Sequence, residues 1–404
     1  MYLVRIHRYM ATEKNKHQMQ LVSLCIAAFF GMAGGAMVSP TLPSIMGHFK
    51  VSAQAIGWVM GVYTLSTAIF MPVTGVLADR LGRKKVLIPA LIINGIAGTG
   101  AALSGRFEII LVFRFFQGIG IAGMMPMVMT LVGDLYDSEN RVKAMGAISA
   151  TTGIGSALAP FLGGVLAGIV WRIPFFLYFL TIPLSFLIFI IIPETKSDEK
   201  HKPISSYFNL LVSAPNRMRI LGIMGLALLS FVLLYSLIIY IPILVSGNAY
   251  NLSEFWAGLF LAIQGITAGI ASFQARRFSS TFQRPHILTA GFAVMSASLL
   301  VIFLSQYLWH IIAALLLFGF GFGTVQPQLN TWITEQVTGT QRGGLVSLFN
   351  MMKYIGQTAA PLLFGAVLAG ASIKIIYITA FAIGIASVSL AFSLKRTKPP
   401  QFSD

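Results

Sequence analysis

The stretch that decides the fold is Gly75-Val76-Leu77-Ala78-Asp79-Arg80-Leu81-Gly82-Arg83-Lys84-Lys85-Val86-Leu87. It is a compact charged segment between two long apolar runs, 56–76 and 86–103. One aspartate lies between two glycines, and four cations follow it closely. So short a connection between two apolar runs predicts a tight loop at a membrane surface, with its cations among the lipid headgroups.

The composition of the whole chain points the same way. Of the 404 residues, 56% are hydrophobic and only 10% are charged, which is too few charges to cover a soluble domain of this length. Apolar windows of about 20 residues, the length that crosses a bilayer core, recur throughout the chain. Because backbone polar groups must pair internally in lipid, these windows are predicted to be helices. We therefore expect an all-α integral membrane protein.

Other protein classes are excluded by the same numbers. The single Cys25 rules out an internal disulfide framework and a cysteine-based metal site. The net charge of +16 is distributed between apolar runs and not along one soluble face, so we expect no nucleic-acid partner. The first apolar run, 21–38, is expected to be a membrane helix and not a cleaved signal peptide.

Twelve apolar spans are predicted, at 19–40, 54–77, 86–104, 108–133, 142–168, 173–192, 218–245, 253–274, 286–305, 308–333, 343–370 and 374–394. If the N-terminus is cytoplasmic, 22 of the 28 Lys and Arg residues fall on cytoplasmic segments and four on outer loops. This bias predicts a multi-pass protein with both termini in the cytoplasm.

The two halves of the chain repeat each other at a constant offset of 201 residues. The offset pairs Gly57 with Gly258, Arg83 with Arg284, Gly118 with Gly319, Gly120 with Gly321, Asp134 with Glu335, Gly155 with Gly356, Pro160 with Pro361 and Gly164 with Gly365. Because six spans separate equivalent positions, the halves are parallel repeats. We expect a first bundle at 1–192, a cytoplasmic linker at 193–217 and a second bundle at 218–404.

The charged loop resembles the signature G-x-L-a-D-r-x-G-r-k-x-x-l of the major facilitator superfamily, which that family places on the cytoplasmic side between its second and third helices. With the two motifs described below, the chain resembles the branch of twelve-helix drug/proton antiporters. The resemblance implies twelve transmembrane helices in two pseudo-symmetric six-helix bundles, in the cytoplasmic membrane of a bacterium.

Within the loop we expect a conformational latch. Asp79 lies at a helix end beside Arg80 and Arg83, and charge-assisted bonds there can hold neighbouring helices together. Asp134 ends the fourth span on the same side, so Arg83 could reach both carboxylates. Gly75 and Gly82 complete the motif, while the cations other than Arg83 also fit simple membrane anchors.

Arg114 is the second candidate, in a segment with Gln117 and Gly118 that resembles the family's fourth-helix motif R-x-x-q-G-x-g. It lies about 9 Å from the span's outer end at 1.5 Å per residue. An intramembrane arginine normally faces the protein interior or a wet cavity, so a coupling or substrate role is predicted. The alternative is that its side chain extends to the outer surface.

The third candidate is a run of small residues in span five that resembles the family's antiporter signature g-x-x-x-G-P-x-x-G-G. Its members are Gly155, Pro160, Gly163 and Gly164, with Ala159 in place of the glycine before proline. Small residues allow close helix approach, and the proline frees a backbone carbonyl. In the family this signature accompanies export; the alternative is helix packing without a further role.

Lys353 is the fourth candidate, about 16 Å into span eleven and near the midplane. Asn350, Tyr354 and Gln357 share its helical face and form a polar stripe. These side chains are predicted to contact substrate, although packing residues are the commoner case for the three uncharged ones.

The twelve acidic residues provide a negative result, since none lies at the centre of a span. Proton coupling would then use Asp79, Asp134, Glu108 or a proton carried by the substrate. Because the two deepest ionisable groups, Arg114 and Lys353, are both cationic, we expect neutral or weakly acidic substrates to be preferred over permanent cations.

The sequence contains no G-x-x-x-x-G-K-[ST] phosphate loop, no nucleophile elbow and no metal-ligand spacing, so neither an enzyme nor a cofactor or metal site is expected. Two repeated helical halves favour a transporter driven by an existing gradient. The predicted function is proton-coupled export of small organic molecules. The alternatives are a dedicated exporter of an endogenous product such as a siderophore, an uptake symporter, and a receptor that has lost transport. The expected partners are a small-molecule substrate, protons and lipid, and a monomer suffices.

Overall fold

In the computed structural model of the protein, residues 2–195, 216–337, 342–368 and 372–396 are described, and within them there are helices and no strands. The predicted linker, 193–217, falls largely on 196–215, which lies outside the described residues.

Twelve long helices follow one another in chain order. They are α1 (Tyr2–Ala36), α2 (Trp58–Leu81), α3 (Arg83–Leu103), α4 (Phe107–Leu135), α5 (Ser138–Ala167), α6 (Thr181–Ile191), α7 (Arg217–Ser246), α8 (Glu254–Thr281), α9 (Arg284–Phe303), α10 (Leu308–Thr334), α11 (Arg342–Val367) and α12 (Ile375–Ser393). Short helices at Leu42–Phe49 and Ala53–Ile56 join α1 to α2, and Ile173–Phe176 with the 3₁₀ turn Leu177–Leu180 precedes α6.

Eleven of the described membrane segments are long and apolar enough to cross a bilayer, and α11 is the exception. Its polar stripe, which includes Lys353, lowers its hydropathy below that of its neighbours. A helix at this depth tolerates polar residues only where they face protein or a wet space, so α11 belongs to the interior of the assembly.

The helices form two six-helix bundles. In the first, α4 packs against α2 and α3, α1 against α5, and α6 against α3; in the second, α10 packs against α8 and α9, α7 against α11, and α9 against α12. Two helix pairs, α5 with α8 and α2 with α11, make the broad contact between bundles. The predicted all-α fold of two bundles is confirmed.

Equivalent glycines make equivalent contacts in the two bundles. A Cβ added at Gly120 would lie 2.7 Å from the carbonyl oxygen of Ala90, and one added at Gly321 would lie 2.7 Å from that of Gly291. Ala90 and Gly291 are themselves 201 residues apart. The repeat in the sequence is therefore a repeat of backbone packing, in which each glycine permits a close helix crossing.

A single residue, Gly82, connects α2 to α3. Its φ of +107° lies in a region that favours glycine, and it ends α2 with a hydrogen bond from its amide to the carbonyl of Ala78. The turn it makes fixes one end of the bundles, called here the loop end; the opposite end is called the far end.

Candidate functional site

The antiporter-like run of α5 lies against α8 at the far end. A Cβ added at Gly164 would lie 2.5 Å from the carbonyl oxygen of Glu254 and 2.9 Å from the Cα of Gly258. One added at Gly258 would lie 2.4 Å from the carbonyl oxygen of Pro160. Only glycines allow the two backbones to approach this closely, so these positions hold the bundles together.

The rest of the run contacts α1 in its own bundle. A Cβ added at Gly163 would lie 2.1 Å from the carbonyl oxygen of Met37, whereas one at Gly155 would touch the Phe29 ring at 3.3 Å. The predicted run thus packs on two sides, and α5 continues unbroken through Pro160. The same run of small residues therefore packs α5 closely within its own bundle and forms part of the contact between the two bundles.

A second contact between bundles repeats the first. Pro361 of α11 lies against Gly57 and Gly61, where an added Cβ would lie 3.1 and 3.0 Å from its ring carbons. Because Gly57 and Gly258, like Pro160 and Pro361, are equivalents in the repeat, the far end is held by two copies of one glycine–proline contact.

Among the described residues, the hydrogen bonds that join the bundles also lie toward the far end. The Ser39 hydroxyl donates to the carbonyl of Ile238, and the Ser44 hydroxyl donates to the Glu254 carboxylate. Nearer the middle, the hydroxyls of Thr64 and Thr358 are 2.9 Å apart. The far end is closed.

Toward the loop end the same helices have parted. A Cβ added at Gly146 or Gly153 of α5, at Gly269 of α8 or at Gly75 of α2 would meet no atom within 4 Å. The space between the bundles is therefore open at the loop end.

The charged loop contains one ion pair. Nε of Arg83 lies 2.9 Å from Oδ2 of Asp134, and Arg83 is 9% exposed. Asp79 is half-buried, and no ion pair within the described part of the chain includes it. The expected bond from Arg83 to Asp79 is therefore wrong for this arrangement, because the turn at Gly82 directs Arg83 toward α4. Arg80 is exposed.

Glu194, just after α6, is a loop partner that sequence reasoning missed. Its Oε1 accepts from the amide of Lys84 at 3.1 Å and occupies the space that a side chain on Gly82 would need. The carbonyl of Thr195 accepts from the amide of Arg83 at 3.1 Å. These acceptors cap the first turn of α3, whose amides have no partner within the helix. An acid directly after a predicted span was the available signal.

The second bundle repeats the ion pair without the aspartate. The Arg284 guanidinium binds the Glu335 carboxylate through two contacts, and its Nη2 lies 2.6 Å from Oε1. The equivalent of Asp79 is Ser280, whose hydroxyl bonds back to the carbonyl of Arg277. The loop is therefore asymmetric between the two halves.

Arg114 is sealed inside the first bundle and is 0% exposed. Its Nε donates to the carbonyl of Val59 at 2.9 Å, and its Nη1 donates to the carbonyl of Gly34 at 3.0 Å and to Oε1 of Gln117 at 2.7 Å. The guanidinium lies 4.0 Å from the Tyr63 ring centroid, a cation–π contact. The arginine therefore joins α1, α2 and α4 and neither reaches the outer surface nor faces the open space.

Gly118, next to this site, brings α4 onto α2. A Cβ there would lie 1.9 Å from the Ser66 hydroxyl and 2.2 Å from the carbonyl oxygen of Tyr63. In the motif around Arg114, α4 thus crosses α2 closely, and the Arg114 side chain forms hydrogen bonds across this crossing.

Lys353 of α11 faces away from lipid. Leu362, which is 45% exposed, lies on the opposite side of the helix at 100° per residue. Nζ of Lys353 donates to Oδ1 of Asn330 on α10 at 2.8 Å and lies 4.4 Å from the Phe349 ring centroid.

The remaining members of the predicted stripe occupy the same side of α11. Asn350 and Tyr354 are half-buried, and Gln357 is 8% exposed. Thr358, one residue further on, is the side chain that reaches Thr64 of the other bundle. The stripe therefore leads from the open end to the point where the bundles meet.

Two tyrosines from opposite bundles, Tyr63 and Tyr235, meet on the far-end side of this stripe; sequence reasoning suggested Tyr235 as a lining residue but did not pair it with Tyr63. A Cβ added at Gly35 would lie 3.2 Å from Oη of Tyr235 and 3.8 Å from Cε1 of Tyr63. Both rings are nearly buried. Nothing in a single sequence pairs residues from two repeats in this way.

Comparison with known proteins identifies the family. The profile of the Major Facilitator Superfamily matches residues 24–335 and 226–404. The chain is 26% identical over 360 residues to the bacillibactin exporter of Bacillus subtilis (strain 168), covering 86% of this chain and 89% of that protein. It is 26% identical over 353 residues to the quinolone resistance protein NorA of Staphylococcus aureus (strain MRSA252), with the same coverage.

Solved structures agree on the fold. A bacterial homolog of the human lysosomal transporter Spinster, in an inward-facing and unoccupied conformation, superimposes with a TM-score of 0.80 at 17% identity, over 94% of this chain and 97% of that one. The profile match agrees with the two glycine-packed bundles and with the charged loop. The chain therefore belongs to the Major Facilitator Superfamily.

Proposed function

We propose that the protein exports small organic molecules from the cytoplasm by alternating access, driven by inward movement of protons. The observation that carries this proposal is the arrangement of the bundles, which are closed at the far end and open at the loop end. A carrier in that state can load from one side only. The antiporter-like run of α5 forms the closed contact through Gly164 and Gly258.

The orientation follows from the distribution of cations. With 22 of 28 Lys and Arg residues on one side, the loop end and both termini lie in the cytoplasm. The structure then corresponds to the inward-facing state, open to cytoplasmic substrate. The cytoplasmic membrane of a bacterium is the matching location, and the linker 193–217 would connect the bundles on that side.

The names of the relatives support export, and they point to two kinds of substrate. NorA is named for quinolone resistance and another relative is named a multidrug transporter, which supports drug efflux. The bacillibactin exporter supports a dedicated exporter of an endogenous siderophore. A transporter and not an enzyme is the function that both share.

Within this cycle we assign Asp79 and Arg83 to the latch. Arg83 is held by Asp134 in the present state, while Asp79 is left with no ion pair to another described residue. A carboxylate half-buried at the open end is available to bond a helix of the other bundle when that end closes. The latch would thus stabilise the outward-facing state, and release of Asp79 accompanies opening to the cytoplasm.

Proton coupling is assigned to the acids at the helix ends, because the described membrane helices hold none at their centres. Asp79, Asp134 and Glu108 are the candidates, and a proton carried by the substrate is the alternative. No cofactor is needed for this cycle, and one chain encloses the whole pathway, so a monomer suffices.

An accumulation assay tests the proposal. Cells with and without the protein are loaded with a fluorescent substrate, and internal fluorescence is followed with and without a protonophore. Export lowers the internal level, and the protonophore removes the difference. A higher internal level would indicate an uptake symporter, and no change under any condition would indicate a receptor. The Asp79→Asn protein, matched for abundance, serves as the control with a damaged cycle.

A further inference from the structure

We propose that the space between the bundles binds an aromatic organic anion, with its acidic group on Lys353 and its ring toward Tyr63 and Tyr235. The inference rests on the proposed function and specifies its substrate class. Four features of the described residues support it: the position of Lys353, its uncharged bonding partners, the distance of the described carboxylates from it, and the tyrosines at the end of the space beyond it.

Lys353 is the cation that substrate can reach. Its side chain is half-buried, lies on the face of α11 opposite the exposed Leu362, and is nearer the loop end than the contact between Thr358 and Thr64. Arg114, by contrast, is 0% exposed and its Nε and Nη1 are bonded to its own bundle. The two deep cations therefore have different roles: Arg114 holds helices together, and Lys353 faces the pathway.

The ammonium of Lys353 is held without being neutralised. Its bonding partner is the side-chain oxygen of Asn330, and its ring partner is Phe349. Both orient the charge, yet neither is an anion. An ammonium has three donors, so Asn330 leaves donors available to a ligand.

No carboxylate in the described part of the chain lies beside this cation. The acids whose side chains are described lie at or near helix ends: Asp79, Asp134, Asp137, Glu139, Glu194 and Glu335 toward the loop end, and Glu108 and Glu254 toward the far end. Of these, Asp134 and Glu335 are paired with arginines. An uncompensated cation away from bulk water attracts an anion and repels a cation several times more strongly than it would in water.

The closed end of the space beyond Lys353 is aromatic. Tyr63 and Tyr235 converge on Gly35 where the bundles meet. At 1.5 Å per residue, they lie about 10 Å further from the loop end than Lys353 does. Tyr354 follows Lys353 on the same helix. A ligand with an acidic group at one end and one or two fused aromatic rings would span this interval, since flat rings pack well on tyrosines.

Binding to the purified full-length protein in lipid nanodiscs tests the charge preference directly. Fluorescein and rhodamine 6G share a xanthene ring system but carry opposite charge, and their anisotropy reports binding. We expect fluorescein to bind the wild type at least about tenfold more tightly. Lys353→Met should weaken fluorescein about tenfold, which is the effect of one charge-assisted contact, while Lys353→Arg should retain most of the affinity. Lys85→Met, which removes an exposed cation, should change neither ligand.

Tighter binding of rhodamine 6G to the wild type would overturn the inference, as would equal affinities of the wild type and Lys353→Met for fluorescein. If Lys353→Met does not fold, the ranking of the two dyes on the wild type decides alone. Efflux of the same dyes from cells separates this proposal from the proposed function. If fluorescein binds through Lys353 but is not exported, the export proposal is refuted and the anion site stands. If both dyes are exported without a charge preference, the anion site is refuted and the export proposal stands.

Discussion

A methyl group at Gly258 should open the far end of the protein. In Gly258→Ala, the new Cβ would lie 2.4 Å from the carbonyl oxygen of Pro160 and 2.8 Å from the Cα of Gly164. Ordinary contact begins near 3.4 Å, so α5 and α8 must separate by about 1 Å. Both neighbours are backbone and cannot rotate away. Overpacking of this kind costs about 1–3 kcal/mol, and 1.4 kcal/mol changes a two-state equilibrium tenfold.

The cost falls on the state in which the far end is closed, so the outward-open population should rise by about tenfold. A cysteine at position 39, introduced as Ser39→Cys in a Cys25→Ser background, reports it, since Ser39 is 0% exposed at the closed end. Its labelling by a membrane-impermeant maleimide added outside the cells should accelerate about tenfold in Gly258→Ala. In Gly153→Ala, where the added Cβ meets nothing within 4 Å, the rate should stay at the parental value. An unchanged rate in folded Gly258→Ala would refute the assignment of this contact as the far-end closure.

Further outcomes can be checked in the same cells. Asp79→Asn should keep its abundance on immunoblots but lose most efflux, whereas Lys85→Ala should export normally; normal efflux by Asp79→Asn would contradict the latch. Glu194→Ala removes a helix cap worth about 1 kcal/mol, so the melting temperature of the purified protein should fall, with Glu194→Gln closer to wild type. A lysine at position 114 cannot make the same forked contacts, so Arg114→Lys leaves buried carbonyls unpaired and should sharply reduce the yield of folded protein. A wild-type yield would argue against the structural role of Arg114.

Sequence alone predicted the helices, the two bundles and their repeat, because apolar length and a fixed offset are written along the chain. It also identified Arg114 and Lys353 as buried cations. It could not distinguish them, since the difference lies in which carbonyls surround each side chain. It offered Arg83 two carboxylate partners, Asp79 and Asp134, and in this arrangement Arg83 pairs with Asp134. Glu194 was missed because its partner is a backbone amide 110 residues away.

Lys353, the cation in the middle of α11, would also make the proposed cycle sensitive to voltage. If Lys353 crosses part of the membrane field as the bundles rock, each full charge moved is worth about 2.3 kcal/mol per 100 mV. With the proposed orientation, a membrane that is negative inside would draw the empty carrier toward the form that is open at the loop end, which is the form seen here. An anion on Lys353 cancels that charge, so the loaded carrier would move outward with little opposition. The resting potential would then reset the transporter after each release, in addition to any proton it carries.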